Sequence, residues 1–539
     1  MRRFWVLLLT LGCAGGAHLA SAPAEPVRVQ LLAFNDFHGY LEPPPAAARP
    51  VDAGVPLGGV AWLSAHVARL RQQEPTVVVA AGDLVGASPL ASALAHDEPS
   101  IAALDALGLE VSSVGNHEFD EGVEELKRLQ HGGCPASGPC PDGPFAGAHF
   151  TYLAANVVDR TGATLFPGSI VKQVGGASIG FIGVVLRETP TVVNPSGVTG
   201  LTFLDEAETV NALVPKLRAA GVDAVVVLIH QGATAPPGSP PDACRGLTGA
   251  LVELAQRFHG VDVVVSGHTH QAYVCPDLGG ALVTSAGSFG RLLTQITLEL
   301  DPVQHRVLSR SAVQVQVTHD VPPDPRVEAV VERAVAKAAP LAQRAVGRLT
   351  ARLSRSGGAS GESPLGDVVA DAHLAATRDA RAVVAFTNPG GLRADLPAGT
   401  VTFGDVFTAQ PFGNTLVSMT LTGAQILEAL EQQWTGSRPR VLQLSAGLRY
   451  SWSESAPPGA RVVPGSVRID GRPLDLAGRY RVTVNSFLAA GGDGFEAFTR
   501  GTERVGGAAD AAALVEYLRP SLGGSPLSPP GGGRIAKVP

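Results

Sequence analysis

The chain has 539 residues, enough for two sizeable domains, and its 45% hydrophobic and 17% charged residues are an ordinary globular balance. Its formal net charge is −7, and it has no long basic run of the kind that indicates binding to a nucleic-acid polymer. A protein of this charge that handles phosphate must gather positive charge locally, from bound metal ions or from placed arginines.

The N-terminus has the pattern of a secretory signal. Two arginines follow the initial methionine, residues 4–11 form an apolar segment too short to span a membrane, and residues 20–22 are a small-residue cleavage pattern. We therefore predict a signal peptide over residues 1–22, a secreted or periplasmic location, and no transmembrane segment. A lipid anchor at Cys13 is the alternative, because the residues before it resemble a bacterial lipobox with its small and aliphatic positions out of order.

Five cysteines are present, and removal of the signal peptide leaves four. An even number in an exported protein indicates disulfides, and four cysteines allow three connectivities. We favour Cys134–Cys140, which would close a Gly/Pro-rich loop, together with Cys244–Cys275. Free buried thiols are the alternative.

Strand-like and helix-like runs alternate through the first part of the chain. The apolar strand-like runs are residues 27–34, 76–80, 111–114, 224–229 and 261–266. The helix-like runs between them include residues 60–70, 99–107 and 207–219. This alternation predicts a layered α/β domain, which we place at residues 27–320.

The composition changes near residue 321. Residues 321–346 are Ala-rich and predict a connecting helix that could be interrupted at Pro340. Residues 347–522 mix strands and helices and are predicted to form a second domain. The Gly/Pro/Ser-rich residues that follow, 523–539, are predicted to be a flexible tail.

Each of the five apolar runs ends at residue types that bind metal ions. Open α/β sheets place ligands at the carboxyl ends of their strands, so these side chains are expected to converge on one rim. Taken singly, each is more often a helix cap or a hydrogen-bonded loop residue. Together they are too many for one ion and enough for two, and a metal pair is an arrangement that cleaves phosphoesters. The predicted ligands are Asp36, His38, Asp83, Asn116, His230, His268 and His270.

In chain order these motifs resemble those of the calcineurin-like metallophosphoesterases. Over nearly all of the predicted mature chain, the sequence resembles the secreted 5′-nucleotidase family, which includes bacterial periplasmic UDP-sugar hydrolases. The resemblance implies an α/β fold, with a β-sandwich flanked by helices, a linker helix and a C-terminal α/β substrate-binding domain. The motifs are Asp36-x-His38, Gly82-Asp83, Gly115-Asn116-His117-Glu118, His230 and Gly267-His268-x-His270.

The resemblance also implies two divalent metal ions, Mn, Zn, Co or Mg, with Asp83 bridging them. One ion would be bound by Asp36, His38, Asp83 and His270, and the other by Asp83, Asn116, His230 and His268. His117 is expected to contact the phosphate and help the leaving group depart, and Asp120 to orient it. These two residues are three apart, so they share a face if the segment turns helical; otherwise Asp120 merely caps a helix.

Gly-rich loops in the second domain supply the expected substrate contacts. The resemblance implies that Arg393 grips phosphate, that two phenylalanines clamp the base, and that an aspartate contacts the ribose. Taken alone, the loop at residues 388–393 reads as an ordinary turn, and phenylalanines are more often core residues. The predicted substrate-binding residues are Asn388, Arg393, Phe412, Asn414, Phe487 and Asp493.

One departure from the family pattern lies before the element at residues 365–367. Relatives carry an arginine shortly before it, whereas residues 357–361 here contain only Gly, Ala and Ser. The nearest arginines are Arg352 and Arg355. Either a loop shift brings one of them to the site or this phosphate-gripping residue is absent.

We therefore predict a dimetal hydrolase that releases phosphate from nucleoside 5′-monophosphates by attack of a metal-activated water. UDP-sugars and cyclic nucleotides are further candidate substrates. One alternative is a related dimetal hydrolase of another ester, of the sulfur-oxidation type, and another is a non-catalytic nucleotide-binding surface protein. The predicted partner is a small nucleotide and not a nucleic-acid polymer, and the oligomeric state is open.

Overall fold

The computed structural model describes residues 25–44, 55–136, 138–140, 143–436 and 438–539. The predicted signal peptide and Cys13 lie outside these residues. Within them, no helix has both the length and the apolar character needed to span a bilayer.

The first part of the chain forms two six-stranded sheets and one short ribbon, with helices outside. Its strands are β1 (Val27–Phe34), β2 (Thr76–Ala81), β3 (Val111–Ser113), β4 (Thr151–Leu153), β5 (Val157–Val158), β6 (Ser169–Val174), β7 (Ala177–Val185), β8 (Thr202–Phe203), β9 (Ala224–His230), β10 (Val263–Ser266), β11 (Ala272–Leu278), β12 (Ala281–Ala286), β13 (Leu292–Asp301) and β14 (Arg306–Gln316). Its helices are α1 (Val60–Arg71), α2 (Leu90–Ala93), α3 (Glu98–Leu107), α4 (Val123–His131), α5 (Thr189–Val192), α6 (Glu206–Ala219) and α7 (Ala250–Arg257).

The two large sheets pack face to face, with strand orders β14-β13-β1-β2-β3-β4 and β11-β12-β10-β9-β7-β6. Leu31 and Val79 of the first sheet and Phe181 and Val226 of the second belong to one buried cluster between them. Alternate residues such as Phe34 pack in the cluster under the outer helices. Burial on both faces explains why the central strands are continuous apolar runs. The predicted layered α/β fold is confirmed.

The parallel strands fix where the site lies. β1, β2 and β3 run parallel in one sheet, and β7, β9 and β10 run parallel in the other. Their carboxyl ends therefore meet at one edge of the sandwich, where loops can gather polar side chains from both sheets.

The second part of the chain follows α8 (Pro325–Ala342) and is built on a five-stranded sheet of order β19-β16-β23-β18-β24. Its strands are β15 (Ala345–Leu349), β16 (Val384–Thr387), β17 (Gly399–Thr402), β18 (Thr415–Thr422), β19 (Gln443–Leu444), β20 (Leu448–Ser453), β21 (Arg468–Ile469), β22 (Arg472–Pro473), β23 (Arg479–Asn485), β24 (Thr502–Ala509) and β25 (Ile535–Val538). Its helices are α9 (Pro364–Ala376), α10 (Phe403–Ala409), α11 (Gly423–Gln432), α12 (Ser486–Ala489), α13 (Asp510–Leu518) and α14 (Pro520–Gly523).

Helix α8 lies within the predicted linker and is fastened to the N-terminal domain at its start. The side chain of Asp324 caps the helix by accepting the N–H of Arg326 at 2.9 Å, and it also accepts the hydroxyl of Ser64 at 2.7 Å. Val327 packs in the N-terminal core. Pro340 lies near the end of α8 and does not interrupt it.

Both favoured disulfides are present. Cys134 pairs with Cys140 and Cys244 with Cys275, with Cα atoms 4.6 and 4.9 Å apart. The second disulfide ties β11 to the loop that follows β9, near the edge where the parallel strands end.

The prediction of a flexible tail at residues 523–539 is wrong. β25 pairs in parallel with β20, and Ile535 is buried. Arg534 makes two hydrogen bonds to the carboxylate of Asp371, at 2.9 and 2.7 Å, and a third to the carbonyl of Leu444. Composition misled here because a few specific polar contacts fix a segment whose many glycines and prolines suggest mobility.

Asp367 lies beside Arg534, and its burial predicts that the stability of the folded protein depends on pH. Its side chain is 1% exposed, and neither carboxylate oxygen has a hydrogen-bond partner within the described residues. Burial raises its pKa from 3.8 to about 8, although Arg534 opposes the shift. Folded protein therefore keeps a proton that unfolded protein loses above about pH 4, and stability contributed by this group is lost as the pH rises towards 8.

We expect the Asp367→Asn protein to have a higher Tm than the unmodified protein at pH 8 and a similar Tm near pH 4. The amide removes the cost of ionising a buried carboxyl, so the gap should widen as the pH rises. Thermal melts at four pH values measure this, and Asp379→Asn, on the exposed surface of the same domain, is the matched control. Parallel Tm profiles for Asp367→Asn and unmodified protein would contradict the assignment.

Candidate dimetal active site

The seven predicted metal ligands lie together where the parallel strands of both sheets end. In one group, the Nε2 atom of His38 is 3.1 Å from Nε2 of His270 and 3.5 Å from Oδ2 of Asp83. Oδ1 of Asp36 is 3.4 Å from Nε2 of His270. The candidate ligand atoms of Asp36, His38 and His270 lie within 4.8 Å of one another.

A second group shares Asp83 with the first. Oδ2 of Asp83 is 3.0 Å from Nε2 of His230, and Nδ1 of His268 is 2.9 Å from Oδ1 of Asn116. The candidate ligand atoms of Asp83, His230 and His268 also lie within 4.8 Å of one another. Asp83 therefore stands between two ligand sets, where its carboxylate can bridge two cations.

The histidine tautomers fit a bound cation. Nδ1 of His38 is 2.9 Å from the carbonyl of Gly86, and Nδ1 of His230 is 2.8 Å from the carbonyl of Ala81. Because a carbonyl only accepts, each Nδ1 carries the proton in the neutral ring, and each Nε2 offers a lone pair towards the site. This is the usual outer contact of a metal-binding histidine.

The charges in the second group also fit a bound cation. Within the described chain, Nε2 of His230 is buried and makes no hydrogen bond of acceptable geometry, although Oδ2 of Asp83 is 3.0 Å away. Burial lowers the pKa of His230, but the negative charge of Asp83 outweighs it and raises that pKa to about 9. The space between this nitrogen and this oxygen therefore calls for positive charge, supplied by a proton or by a metal ion. Imidazole and carboxylate ligands suit Zn, Mn and similar divalent ions.

Five of the seven ligands have a left-handed backbone conformation, which few residues other than glycine adopt. The residues and their φ values are Asp36 at 50°, His38 at 50°, Asp83 at 51°, His268 at 70° and His270 at 54°. Each such conformation costs on the order of 1–3 kcal/mol and tends to occur at functional sites. It turns each side chain out of the strand direction and into the shared site.

Glu118 has a structural role beside the candidate ligands. Its carboxylate accepts the N–H groups of Asp83 and Leu84 at 2.9 and 2.7 Å, and also that of Gly115. A side chain on Gly115 would place Cβ 2.2 Å from Oδ1 of Asp83. The glycine and Glu118 therefore let the turns after β2 and β3 approach closely enough to present Asp83 and Asn116 together.

His117 and Asp120 form the predicted pair. Residues His117–Phe119 make a 3-10 turn, which places Nδ1 of His117 2.8 Å from Oδ2 of Asp120. The backbone N–H of His117 donates to Oδ1 of Asp83 at 2.9 Å, so the pair is attached to the metal site. Burial lowers the pKa of His117, but the charges of Asp120 and Asp83 raise it further, with a net increase. The ring is suited to donate a proton from Nε2.

A cavity of about 800 Å³ lies between the two domains and opens onto this site. Asn116, His117, Asp120 and His268 line it from the N-terminal domain. All six predicted substrate-binding residues line it from the C-terminal domain: Asn388, Arg393, Phe412, Asn414, Phe487 and Asp493. The fold therefore brings residues more than two hundred positions apart in sequence to one chamber.

Within the cavity the ring of Phe412 rests on the ring of His117. Their centroids are 5.6 Å apart and the planes differ by 19°. The guanidinium of Arg393 lies 5.9 Å from the centroid of the same phenylalanine. The expected phosphate-gripping and base-stacking residues thus adjoin the expected proton donor.

Sequence reasoning missed two arginines in the cavity wall, Arg438 and Arg440. Nε of Arg440 is 3.3 Å from Oδ1 of Asp493, while Nδ2 of Asn388 donates to Oδ2 of Asp493 at 2.9 Å. The Arg-Pro-Arg run after α11 was the available signal, but nothing in it shows that the loop faces the ligand chamber.

Arg352 and Arg355 have different surroundings in the structure. Arg352 is paired with Asp395, and 57% of its side chain is exposed. Arg355 donates from Nη1 to the carbonyl of Leu392 at 3.1 Å, and its charge lowers the pKa of Arg393 after the larger effect of burial. Arg355 is therefore the one that lies beside Arg393.

Comparisons with known proteins assign both parts of the chain to domain families. Residues 29–272 match the calcineurin-like phosphoesterases, and residues 306–500 match the 5′-nucleotidase C-terminal domain. The cell wall protein Lmo0130 of Listeria monocytogenes is 32% identical over 538 residues, which cover 93% of this chain and 68% of that protein. Endonuclease YhcR of Bacillus subtilis is 29% identical over 94% of this chain, but the chain spans only 41% of that relative.

A solved structure is similar over both domains. The crystal structure of a 5′-nucleotidase precursor from Thermus thermophilus is 30% identical, with a TM-score of 0.79 over 95% of this chain and 99% of that one. Two matched domains in this order and relatives along nearly the whole chain show that it belongs to the 5′-nucleotidase family, as a calcineurin-like dimetal phosphoesterase joined to a 5′-nucleotidase C-terminal domain.

Proposed function

We propose that this enzyme hydrolyses nucleoside 5′-monophosphates to nucleosides and phosphate. The observation that carries the proposal is the shared cavity. Two candidate metal ligands, Asn116 and His268, and the His117–Asp120 pair line the same chamber as two phenylalanines and the polar residues expected to hold a nucleoside. UDP-sugars and cyclic nucleotides are proposed as further substrates.

The two candidate ligand groups, with Asp83 between them, would hold two divalent ions, which would supply activation of a water and positive charge to offset the phosphate. Arg393 contributes a further positive charge at the transferring group. His117 donates a proton from Nε2 to the departing ester oxygen, and Asp120 holds Nδ1 so that the ring keeps this orientation. Phe412 and Phe487 receive the base, and Asp493, held by Asn388 and Arg440, is placed for the ribose hydroxyls.

A substrate panel tests the proposal. Metal-stripped protein is reloaded separately with Mn, Zn, Co or Mg. Phosphate release is then measured from the four common nucleoside 5′-monophosphates and from p-nitrophenyl phosphate. With UDP-glucose and cyclic AMP, the reaction products are treated with a phosphatase before phosphate is measured. Single-stranded DNA is included because the Bacillus relative is named an endonuclease. We expect the nucleoside monophosphates to be the best substrates. Equal kcat/KM for AMP and p-nitrophenyl phosphate would contradict the proposal and favour a hydrolase of another ester.

Replacement of the cavity phenylalanines should affect nucleotides selectively. Stacking of a base on an aromatic ring is worth about 1–3 kcal/mol, so Phe487→Ala should raise KM for AMP by about 5- to 100-fold. KM for p-nitrophenyl phosphate should change little by comparison. Phe386→Leu, a core change in the same domain, controls for general loosening. An equal effect on both substrates would show that Phe487 is only a packing residue.

Arg355 is proposed as the second phosphate-gripping arginine. Arg355→Gln should lower kcat/KM for AMP about tenfold or more, because a charge-assisted hydrogen bond to phosphate is lost. Arg352→Gln is the matched control and should have little effect, since that residue is already paired with Asp395. The reverse pattern in steady-state kinetics would assign the role to Arg352.

The proposed location is outside the cytoplasm. Residues 1–22 read as a signal peptide, and the Listeria relative is named a cell wall protein. Fractionation of cells that express the chain tests this, with N-terminal sequencing of the mature protein expected to start near Pro23. A start at Cys13 with attached lipid would support an anchor instead.

A further inference from the structure

Asp97 is a buried carboxylate that the reaction proposed above does not use. It lies between α2 and α3. Its Oδ1 accepts the hydroxyl of Ser92 at 2.5 Å, and that hydroxyl is also 2.6 Å from the hydroxyl of Ser100. Its Oδ2 accepts the backbone N–H of Gly86 at 3.1 Å, in the loop that follows Asp83. The carboxylate therefore anchors this loop to a buried pair of hydroxyls.

The peptide bond between Gly86 and Ala87 connects the first ligand group to the proton-donor pair. Its carbonyl accepts a hydrogen bond from Nδ1 of His38 at 2.9 Å, which fixes the tautomer of this candidate ligand. Its N–H group donates to Oδ2 of Asp120 at 3.1 Å, and the same oxygen lies 2.8 Å from Nδ1 of His117. Because the peptide is planar, a rotation of it would weaken both contacts together.

The backbone of Gly86 does not fix this peptide by itself. Its φ is 78°, which glycine adopts freely, and a Cβ at this position would lie 2.3 Å from the carbonyl oxygen of His117. Glycine is therefore required, and glycine has the least restricted backbone of all residues. The hydrogen bond to Asp97 supplies a restraint that the dihedral preferences of glycine do not.

We infer that Asp97 is a positioning residue of the dimetal site, which acts through the peptide that follows Gly86. It orients His38 towards the first metal position and Asp120 towards His117. This inference rests on the proposed function. A hydrogen bond that orients a metal-binding histidine is typically worth about 10- to 100-fold in metal affinity, and a shift of the carbonyl that accepts this bond weakens it.

The second ligand group has a separate support. Nδ1 of His230 is 2.8 Å from the carbonyl of Ala81, and Glu118 accepts the N–H of Asp83 at 2.9 Å. Neither contact includes Asp97. Loss of Asp97 should therefore weaken the binding of one metal ion much more than that of the other, whereas a general loosening of the fold would weaken both alike.

Titration with manganese tests the inference without turnover. Metal-stripped protein is titrated with Mn²⁺ by calorimetry, with and without Asp97→Gly, since glycine suits the φ of 60° at this position. We expect one of the two Mn²⁺ affinities to fall about 10- to 100-fold and the other less than about threefold. The kcat for AMP should fall about tenfold, because Asp120 is also displaced, while KM changes less than about threefold.

Two further variants separate positioning from packing. Asp97→Asn keeps an oxygen for the N–H of Gly86, and the hydroxyl of Ser92 can turn to accept from the new amide while it donates to Ser100. It should therefore retain both Mn²⁺ affinities to within about threefold. Ser100→Ala is the matched control, because it removes a hydrogen bond from the same buried cluster. It should lower the Tm without changing either Mn²⁺ affinity.

The outcomes separate the two proposals. If the unmodified protein binds two Mn²⁺ ions but hydrolyses no nucleoside monophosphate, the proposed function is wrong, and the titration still decides whether Asp97 supports His38. If it hydrolyses AMP but Asp97→Gly leaves both Mn²⁺ affinities unchanged, or weakens both equally, only the inference is overturned. Equal losses in Asp97→Asn and Asp97→Gly would also overturn it, because the hydrogen bond to Gly86 would then not be the cause.

A second variant covers a failure of Asp97→Gly to fold, as judged by circular dichroism. Asp97→Ser fills part of the same space, but its hydroxyl ends one bond short of the present carboxylate oxygens. It should show the same selective loss of one Mn²⁺ affinity. Two unchanged affinities in Asp97→Ser would overturn the inference.

Discussion

The His117→Ala protein is expected to hydrolyse AMP about 10²- to 10⁴-fold more slowly than the unmodified enzyme, the range for loss of a positioned proton donor. The ring nitrogen that faces the cavity is removed, while both candidate ligand groups keep their side chains. Metal content and the Kd for AMP should therefore change little. Steady-state kinetics, metal analysis of the purified protein and calorimetry measure the three quantities.

The pH dependence gives a second readout for His117. Its pKa is raised by Asp120 and Asp83 against the effect of burial, and a proton donor must be protonated to act. The kcat of the unmodified enzyme should fall as the pH rises past that pKa, and the His117→Ala protein should lack this fall. Asp120→Asn should retain metal but lose part of the rate, because a neutral amide holds the imidazole less strongly and no longer raises its pKa. An unchanged kcat in the His117→Ala protein would remove it from the mechanism.

The Asp83→Ala protein is expected to lose both metal ions and at least about 10³ in kcat/KM, since metal activation contributes several kcal/mol. The carboxylate of Asp83 lies beside ligands of both candidate groups, 3.5 Å from Nε2 of His38 and 3.0 Å from Nε2 of His230. Its side chain also holds the backbone of His117, and its backbone N–H donates to Glu118. Metal analysis and AMP kinetics in the presence of added Mn measure the effect.

A less severe variant distinguishes the loss of a bridging metal ligand from the loss of folded structure. Asp83→Asn keeps the shape and one coordinating oxygen but removes the charge between the two sets. It should bind fewer than two metal ions per chain while keeping the far-ultraviolet circular dichroism of the unmodified protein. Asp379→Asn, on the exposed surface, should retain both ions. Two ions bound to the Asp83→Ala protein would show that this carboxylate is not the bridge.

Much of the site follows from local sequence. Residues 27–34 are predicted as a strand and form β1, because an apolar run buried on both faces has few other ways to pack. The ligands after β1, β2, β9 and β10 follow from the rule that parallel strands end together. The side-chain pairing of His117 and Asp120 follows from their spacing of three once the segment turns helical.

Other parts could not be predicted because they depend on contacts between distant segments. The left-handed backbone at Asp36 and His38 is imposed by tertiary structure, and no propensity indicates it. The ordered C-terminal strand depends on Arg534 meeting Asp371, more than 160 residues away. Arg352 is held by Asp395, which leaves Arg355 beside Arg393. The loop sequence alone does not show which of the two arginines pairs with Asp395.

The contact between Phe412 and His117 covers one face of the phenylalanine ring. A ring from one domain lies against the proton donor of the other, so a base that stacks on that face of Phe412 must first displace an intramolecular neighbour. Apparent affinity is then the intrinsic affinity multiplied by the fraction of molecules in which that ring is free. Mutations that only weaken this contact would tighten nucleotide binding without adding any new interaction with the ligand.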